Sequence, residues 1–161
     1  MKLPSHRLAD LGLVLPPVVA PLAAYVPAVR HEDLIFTAGQ LPMVGGVLET
    51  VGKVGAEVSP ETARDCARIC ALNALAAVVS VTGDLDAIVR IVKLTVFVAS
   101  APGFAGQPEV GNGASQLLGE VFGDAGRHAR TAVGVSILPF DAPVEVEMVV
   151  AVGSTPQVHW A

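Results

Sequence analysis

The sequence predicts an α+β layer sandwich, a mixed sheet with two main helices on one face. Segments rich in β-branched and aromatic residues, DLIFTAG (33–39), VRIVKLTVFVA (89–99), 130–138 and 143–152, read as strands. Two helical stretches interrupt them, one opening at Ser59 and one near Pro108. The resulting order of strand, strand, long helix, long strand, helix, strand, strand suits a sheet covered on one side. At 161 residues the chain is expected to form a single domain over 1–161, with an N-terminal helix and loop over 1–19 and a loosely held tail over 153–161.

Taken in order, Ser5 caps a short helix that runs to about Gly12. Residues 13–29 carry no charge, but four prolines disrupt any spanning helix. YVPAVR (25–30) is an edge or entry strand, because Pro27 cannot donate to a ladder, and GGVLE (45–49) forms a small extra strand. Ser59, Pro60 and Glu61 supply a hydroxyl cap, a first-turn proline and an acid at the positive end of a helix that runs to about Thr82, where Gly83 stops it. Beyond Arg68 this helix is apolar nearly all round, so it must be well covered; its apolar run from Ile69 to Val81 is too short to cross a bilayer. The second helix is expected from about Pro108 to Phe122, with Leu117, Leu118, Val121 and Phe122 at helical spacing. Interior glycines cost ~1 kcal/mol each relative to alanine, so Gly111 and Gly113 imply close backbone approach or a later start.

Composition narrows the function. Hydrophobic residues make up 52% of the chain and charged residues 16%, which points to a homo-oligomer that hides apolar surface between copies. A net charge of -5, scattered Lys and Arg, and 4% aromatics argue against nucleic acid as a partner. The N-terminus lacks the continuous apolar core of a secretory signal, so a cytoplasmic location and no membrane partner are expected. Cys66 and Cys70, four apart on one helix face, read as small core residues and not as a disulfide. His6, His31, His128 and His159 show no metal-ligand spacing.

Strand alternation places Arg130, Ala132, Gly134 and Ser136 on one face of the penultimate strand, and Thr131, Val133, Val135 and Ile137 on the other, read as the core face. On the last strand Glu145 and Glu147 share a face opposite Val144, Val146, Met148 and Val150. Two readings follow: an exposed sheet face with a surface arginine, or an arginine that grips a carboxylate at a pocket wall. His128, two residues before Arg130, either reaches the same cleft or is structural.

Several motifs together resemble the YjgF/RidA family. ARTAVGVSILPFDAPVEVEMVVAV (129–152) is similar to its C-terminal signature, with Arg, small residues, Leu-Pro and an alternating Val-Glu strand. Tyr25, followed thirteen positions later by the start of AGQLP, is similar to its N-terminal motif, KLTVFVAS (93–100) to its central strand, and the Asn112 region to its second helix. The resemblance implies a chorismate-mutase-like fold in a homotrimer, with helices outside, sheets lining a central barrel and sites between subunits. It also implies enamine/imine deaminase activity, hydrolysing small 2-imino (2-aminoacrylate-like) acids to 2-keto acids and ammonia without metal or organic cofactor. By the same resemblance Arg130 grips the substrate carboxylate, Glu145 positions water, Tyr25 lines the cleft and Asn112 lies near the carboxylate. Gly39 and Ala132 offer main-chain contacts.

Ala38 and Ala132 stand where the family often has serine and cysteine, and APGFAGQPEVGNGAS (101–115) is longer than the compact RidA pattern, which marks a distinct subgroup. Two other readings stand beside the deaminase: a trimer that binds or senses a small carboxylate such as a 2-keto acid without turnover, and the endoribonuclease of an older family description. The acidic balance counts against the second.

Overall fold

The structure is a computed structural model that describes residues 2–18 and 24–153. Its helical layer is set by local signals. Ser59 Oγ accepts the Thr62 amide, Pro60 and Glu61 occupy the first turn, and α2 (Pro60–Thr82) ends at Gly83 in the left-handed conformation at φ 75°. α1 (Pro4–Asp10) precedes it and is tied to the body by Ser5, whose amide and hydroxyl both donate to Asp86. α3 (Gln107–Phe122) starts one residue before the expected position, so only the front of the Gly-rich 101–115 stretch is loop.

The strands are β1 (Ala28–His31), β2 (Leu34–Thr37), β3 (Met43–Val44), β4 (Val47–Leu48), β5 (Ile88–Ala99), β6 (Ala129–Val135) and β7 (Val144–Val152). The main sheet has the order β1-β2-β7-β5-β6, with β5 and β6 parallel and the other pairs antiparallel. The expected strand over 45–49 is instead the turn and second arm of the β3–β4 hairpin, because Gly45 and Gly46 adopt positive φ and reverse the chain. β6 ends at Val135, earlier than expected; Phe140 and Asp141, both at positive φ, turn the chain into β7.

α2 and α3 cover one face of this sheet. Leu94, Val96 and Val98 of β5 and Val144, Val146, Met148 and Val150 of β7 are buried beneath them. Full burial of such side chains is worth ~1.5–3 kcal/mol each. Ala63, Ala67, Ala71 and Ala74 let α2 approach closely, and Cys66 and Cys70 are buried with them. The cysteines are core residues as expected: burial pushes both thiols above the ordinary range, and the Cys70 thiol donates to the Val144 carbonyl. α2 is long and apolar enough to cross a membrane, yet its apolar surface packs into this core.

The expected facing of β6 is overturned, as is the Ser5 cap, since Leu3 precedes α1 and Ser5 lies within it. The register pairs Leu94 with Arg130 and Val96 with Ala132, so Arg130 and Ala132 face the helices. Thr131 and Val133 face the open side with Thr95 and Phe97, and the supposed core residues Val133 and Ile137 are 39% and 64% exposed. Polar atoms of α3 accept hydrogen bonds from Arg130 on the covered side, while the valines of this edge strand meet no second layer among the described residues. The tail beyond Gly153, with His159 and Trp160, lies outside the described residues.

The two α3 glycines differ in consequence. A Cβ at Gly113 would overlap the Arg64 carbonyl oxygen of α2, whereas one at Gly119 meets nothing within 4 Å. Gly113→Ala is therefore expected to destabilise the protein by ~1–3 kcal/mol, and Gly119→Ala to stabilise it by ~0.5–1 kcal/mol, both read from urea unfolding midpoints.

Candidate functional site

Pro108, Gly111, Asn112 and Ser115 fall at i, i+3, i+4 and i+7, a spacing that aligns them as one stripe of α3. This stripe faces β6, and Arg130 lies across it. Its Nη1 donates to Asn112 Oδ1 at 2.9 Å and to Ser115 Oγ at 3.1 Å, and its Nη2 donates to the Pro108 carbonyl at 3.1 Å. The missing side chain of Gly111 leaves room for the guanidinium, since a Cβ there would lie 3.2 Å from Nη1 and 3.3 Å from Cζ. Glu109 accepts the Asn112 side-chain amide at 3.3 Å and so turns Oδ1 toward the arginine. Behind Ser115, the His128 Nε2 lies 3.0 Å from Oγ, and Nδ1 lies 2.6 Å from the Gly126 carbonyl.

A guanidinium has five N–H donors. Three are engaged by α3, which leaves Nε–H and one Nη2–H, and no carboxylate of the described residues forms an ion pair with Arg130. The cation also sits beside the first turns of α3, where the helix dipole is positive. Such a site favours an anion. Ala132, next along this face, presents only a half-buried methyl packed on the core.

A second group of expected site residues gathers elsewhere. Gln40 and Val146 exchange backbone hydrogen bonds at 2.8 and 3.0 Å, which lays residues 38–40 alongside β7. Gly39 then lies against the Glu145 carboxylate, so closely that a Cβ would overlap Oε1. The Ala38 amide donates to the Pro27 carbonyl, two residues from Tyr25, which is 50% exposed. Burial raises the Glu145 carboxyl above its ordinary value of 4.5, and the neighbouring Glu147 carboxylate adds to the rise.

Arg130 and Asn112 are thus brought into contact, and Glu145 and Gly39 into another, but one chain does not unite the two groups. Phe97 pairs with Glu145 and Leu94 with Arg130; residues an odd number apart on β5 point to opposite faces, so the two charged groups lie on opposite sides of the sheet. Tyr25 precedes β1, at the edge opposite β6, about 19 Å away at ~4.8 Å per strand. Ser115 is an addition that sequence reading missed, and His128, left between two readings, contacts it. The 108/111/112/115 spacing was the available signal, hidden because nothing in the sequence says that this stripe faces β6.

A family model described as "YjgF/chorismate_mutase-like, putative endoribonuclease" matches residues 5–151. The chain belongs to this YjgF family. It is 44% identical over 149 residues to protein TCP17 of Trypanosoma cruzi, covering 91% of this chain and 92% of that one. Among solved structures, Atu1372 of Agrobacterium tumefaciens, of unknown function, superposes with a TM-score of 0.86 at 44% identity, covering 93% of this chain and 92% of that one. A structure from Shewanella oneidensis, described as a putative endoribonuclease, gives a TM-score of 0.90 at 31% identity over 94% and 100% of the two chains. The chorismate-mutase-like fold expected from the motifs is therefore the fold observed.

The raised Glu145 carboxyl has a defined effect on stability. The folded state holds this proton more tightly than the unfolded chain, so its contribution falls as pH rises from 4.5 through the raised value. Urea midpoints should show Glu145→Gln more stable than the parent at pH 8, with the difference closing toward pH 4.5. A constant difference across pH would contradict this assignment.

Proposed function

We propose that this YjgF-family protein is a cofactor-independent enamine/imine deaminase for small 2-imino acids, acting as a homotrimer with its sites between subunits. The observation that carries this reading is Arg130: a guanidinium pre-oriented by Asn112, Ser115 and Pro108, with two donors left and no carboxylate paired to it among the described residues. Its remaining donors hold the carboxylate of the imino acid. Water adds to the imine carbon, the carbinolamine collapses with cleavage of the C–N bond, and ammonia leaves a 2-keto acid. Glu145 orients the water and returns its proton to nitrogen.

The division of the site residues supports assembly. Tyr25 and Arg130 belong to opposite sheet edges, each of which ends in a strand unpaired on its outer side among the described residues. A ring of copies joins one subunit's β1 edge to the next subunit's β6 edge and brings the two groups together, a head-to-tail contact that closes by rotation. Phe36, Val29 and Val133, exposed on or beside the open face, become its covered lining. The acidic pair Glu145 and Glu147 on that face opposes binding of a phosphodiester backbone and disfavours the ribonuclease reading.

Ammonia release from enzymatically generated 2-aminoacrylate tests this function. The parent protein should accelerate it; Arg130→Ala should lower kcat/KM by ~100-fold through lost orientation, and Glu145→Gln should lower kcat by ~100-fold with little change in KM. The acid limb of the parent's pH profile should lie above 4.5, because the working carboxylate forms only after its raised pKa is passed. Sedimentation should give the mass of three chains; a monomer at micromolar concentration would sink the intersubunit site. A second reading, carboxylate binding without turnover, is favoured by Ala38 and Ala132, which supply neither hydroxyl nor thiol. Pyruvate binding without ammonia release would establish it instead.

A further inference from the structure

Arg130 is held from behind by a hydrogen-bond chain whose polarity can be assigned throughout. The Gly126 carbonyl only accepts, so His128 Nδ1, 2.6 Å away, carries the hydrogen. In the imidazole form Nε2 then offers a lone pair to Ser115, 3.0 Å away, and the Ser115 hydroxyl donates to it. The Ser115 oxygen is thereby turned to accept from Arg130 Nη1 at 3.1 Å. The chain runs head to tail from guanidinium to serine to imidazole to backbone, an arrangement in which each bond polarises the next.

Its far end is fixed as well. Gly126 closes the turn after α3, and a Cβ there would overlap the Leu118 carbonyl oxygen, so the peptide that receives His128 is packed against the helix backbone. Two of its links are thus anchored by α3: Ser115 lies within the helix, and Gly126 is seated on its last turns. With Asn112 taking the other hydrogen of Nη1, that nitrogen is fully committed and the guanidinium plane is set over Gly111.

We infer that Ser115 and His128 are positioning residues for Arg130, holding its free Nε–H and Nη2–H toward an incoming carboxylate. The inference rests on Arg130 being the carboxylate anchor. Without the Ser115 oxygen, one Nη1 hydrogen loses its acceptor and the fork can rotate toward other partners, so a ligand must meet a side chain that is no longer pre-oriented. Without the imidazole, the serine hydroxyl is released to bond its own helix carbonyls, and its lone pair turns from the arginine. Both losses weaken carboxylate capture and leave the water-placing side untouched.

Pyruvate titration by calorimetry into the intact protein, with parallel imine kinetics, separates the possibilities. Ser115→Ala and His128→Phe should each weaken pyruvate binding by ~10-fold and raise KM similarly, while kcat changes by less than ~3-fold. Ser115→Thr, which keeps the hydroxyl, should restore affinity; a merely structural role for Ser115 predicts no such rescue tied to the oxygen. The Arg130 Nη1–H resonances, whose acceptors are Asn112 and Ser115, should be resolved and slow to exchange in the parent and in Ser115→Thr, and broadened in Ser115→Ala and His128→Phe. The two truncations approach the chain from different elements, so either folded variant suffices. Parent-like affinity and an unchanged Nη1–H signal in a folded truncation overturn the positioning role while Arg130→Ala still abolishes binding. If pyruvate fails to bind the parent, or binds Arg130→Ala equally well, the anchor itself is wrong and this inference falls with it.

Discussion

A guanidinium lying on the helix-covered side of the sheet is the constraint around which α3 is built. A cation there would be costly without partners. The helix meets that demand with a stripe of small or polar positions, in which Asn112, Ser115 and the Pro108 carbonyl accept hydrogen bonds and Gly111 gives way to the guanidinium plane. Gly113, two residues on and so about 200° around the helix axis, answers a different demand, the close approach of the α2 backbone. One short segment thus fits a charged group on one side and a neighbouring helix on the other, and two glycines that weaken it as an isolated helix are what allow both contacts.

The sheet imposes a second constraint by distance. Its order puts β1 and β6 at opposite edges, with Glu145 on the central β7 and on the face opposite Arg130. The residues that the family signature groups together are therefore far apart in a single chain. In the assembly proposed above, their chemistry acquires a common location where the edge of one copy meets the other edge of the next. The same proposed assembly would cover the open face, where Phe36, Val133 and Val149 share the surface with Lys93, Thr95 and Glu147.

Local chemistry made much of this architecture legible in the sequence. Ser59, Pro60 and Gly83 mark the ends of α2 because capping and left-handed backbone depend on a few neighbouring residues. Alternation correctly put Glu145 and Glu147 together, opposite the buried valines of β7. It could not say which face of β6 was covered, because period-two patterning fixes parity and not direction, and Val133 has the same hydrophobicity whether it meets a helix or another subunit. The family signature led to Arg130 and Asn112, which do touch. Ser115 and the role of His128 stayed hidden, since their contact depends on how β6 docks against α3, a long-range fact that no local window contains.

The two bare edges of the sheet also bear on the life of the single chain. Among the described residues β1 and β6 each offer an unpaired row of backbone donors and acceptors, and Val29 on β1 is 52% exposed. A newly made chain is in that respect an unfinished sheet, open to pairing with any extended segment it meets, and such edges are recognised hazards for aggregation. Cellular quality control would encounter this surface on every solitary copy. Under the proposed assembly, the time each chain spends with bare edges depends on how soon it meets other copies.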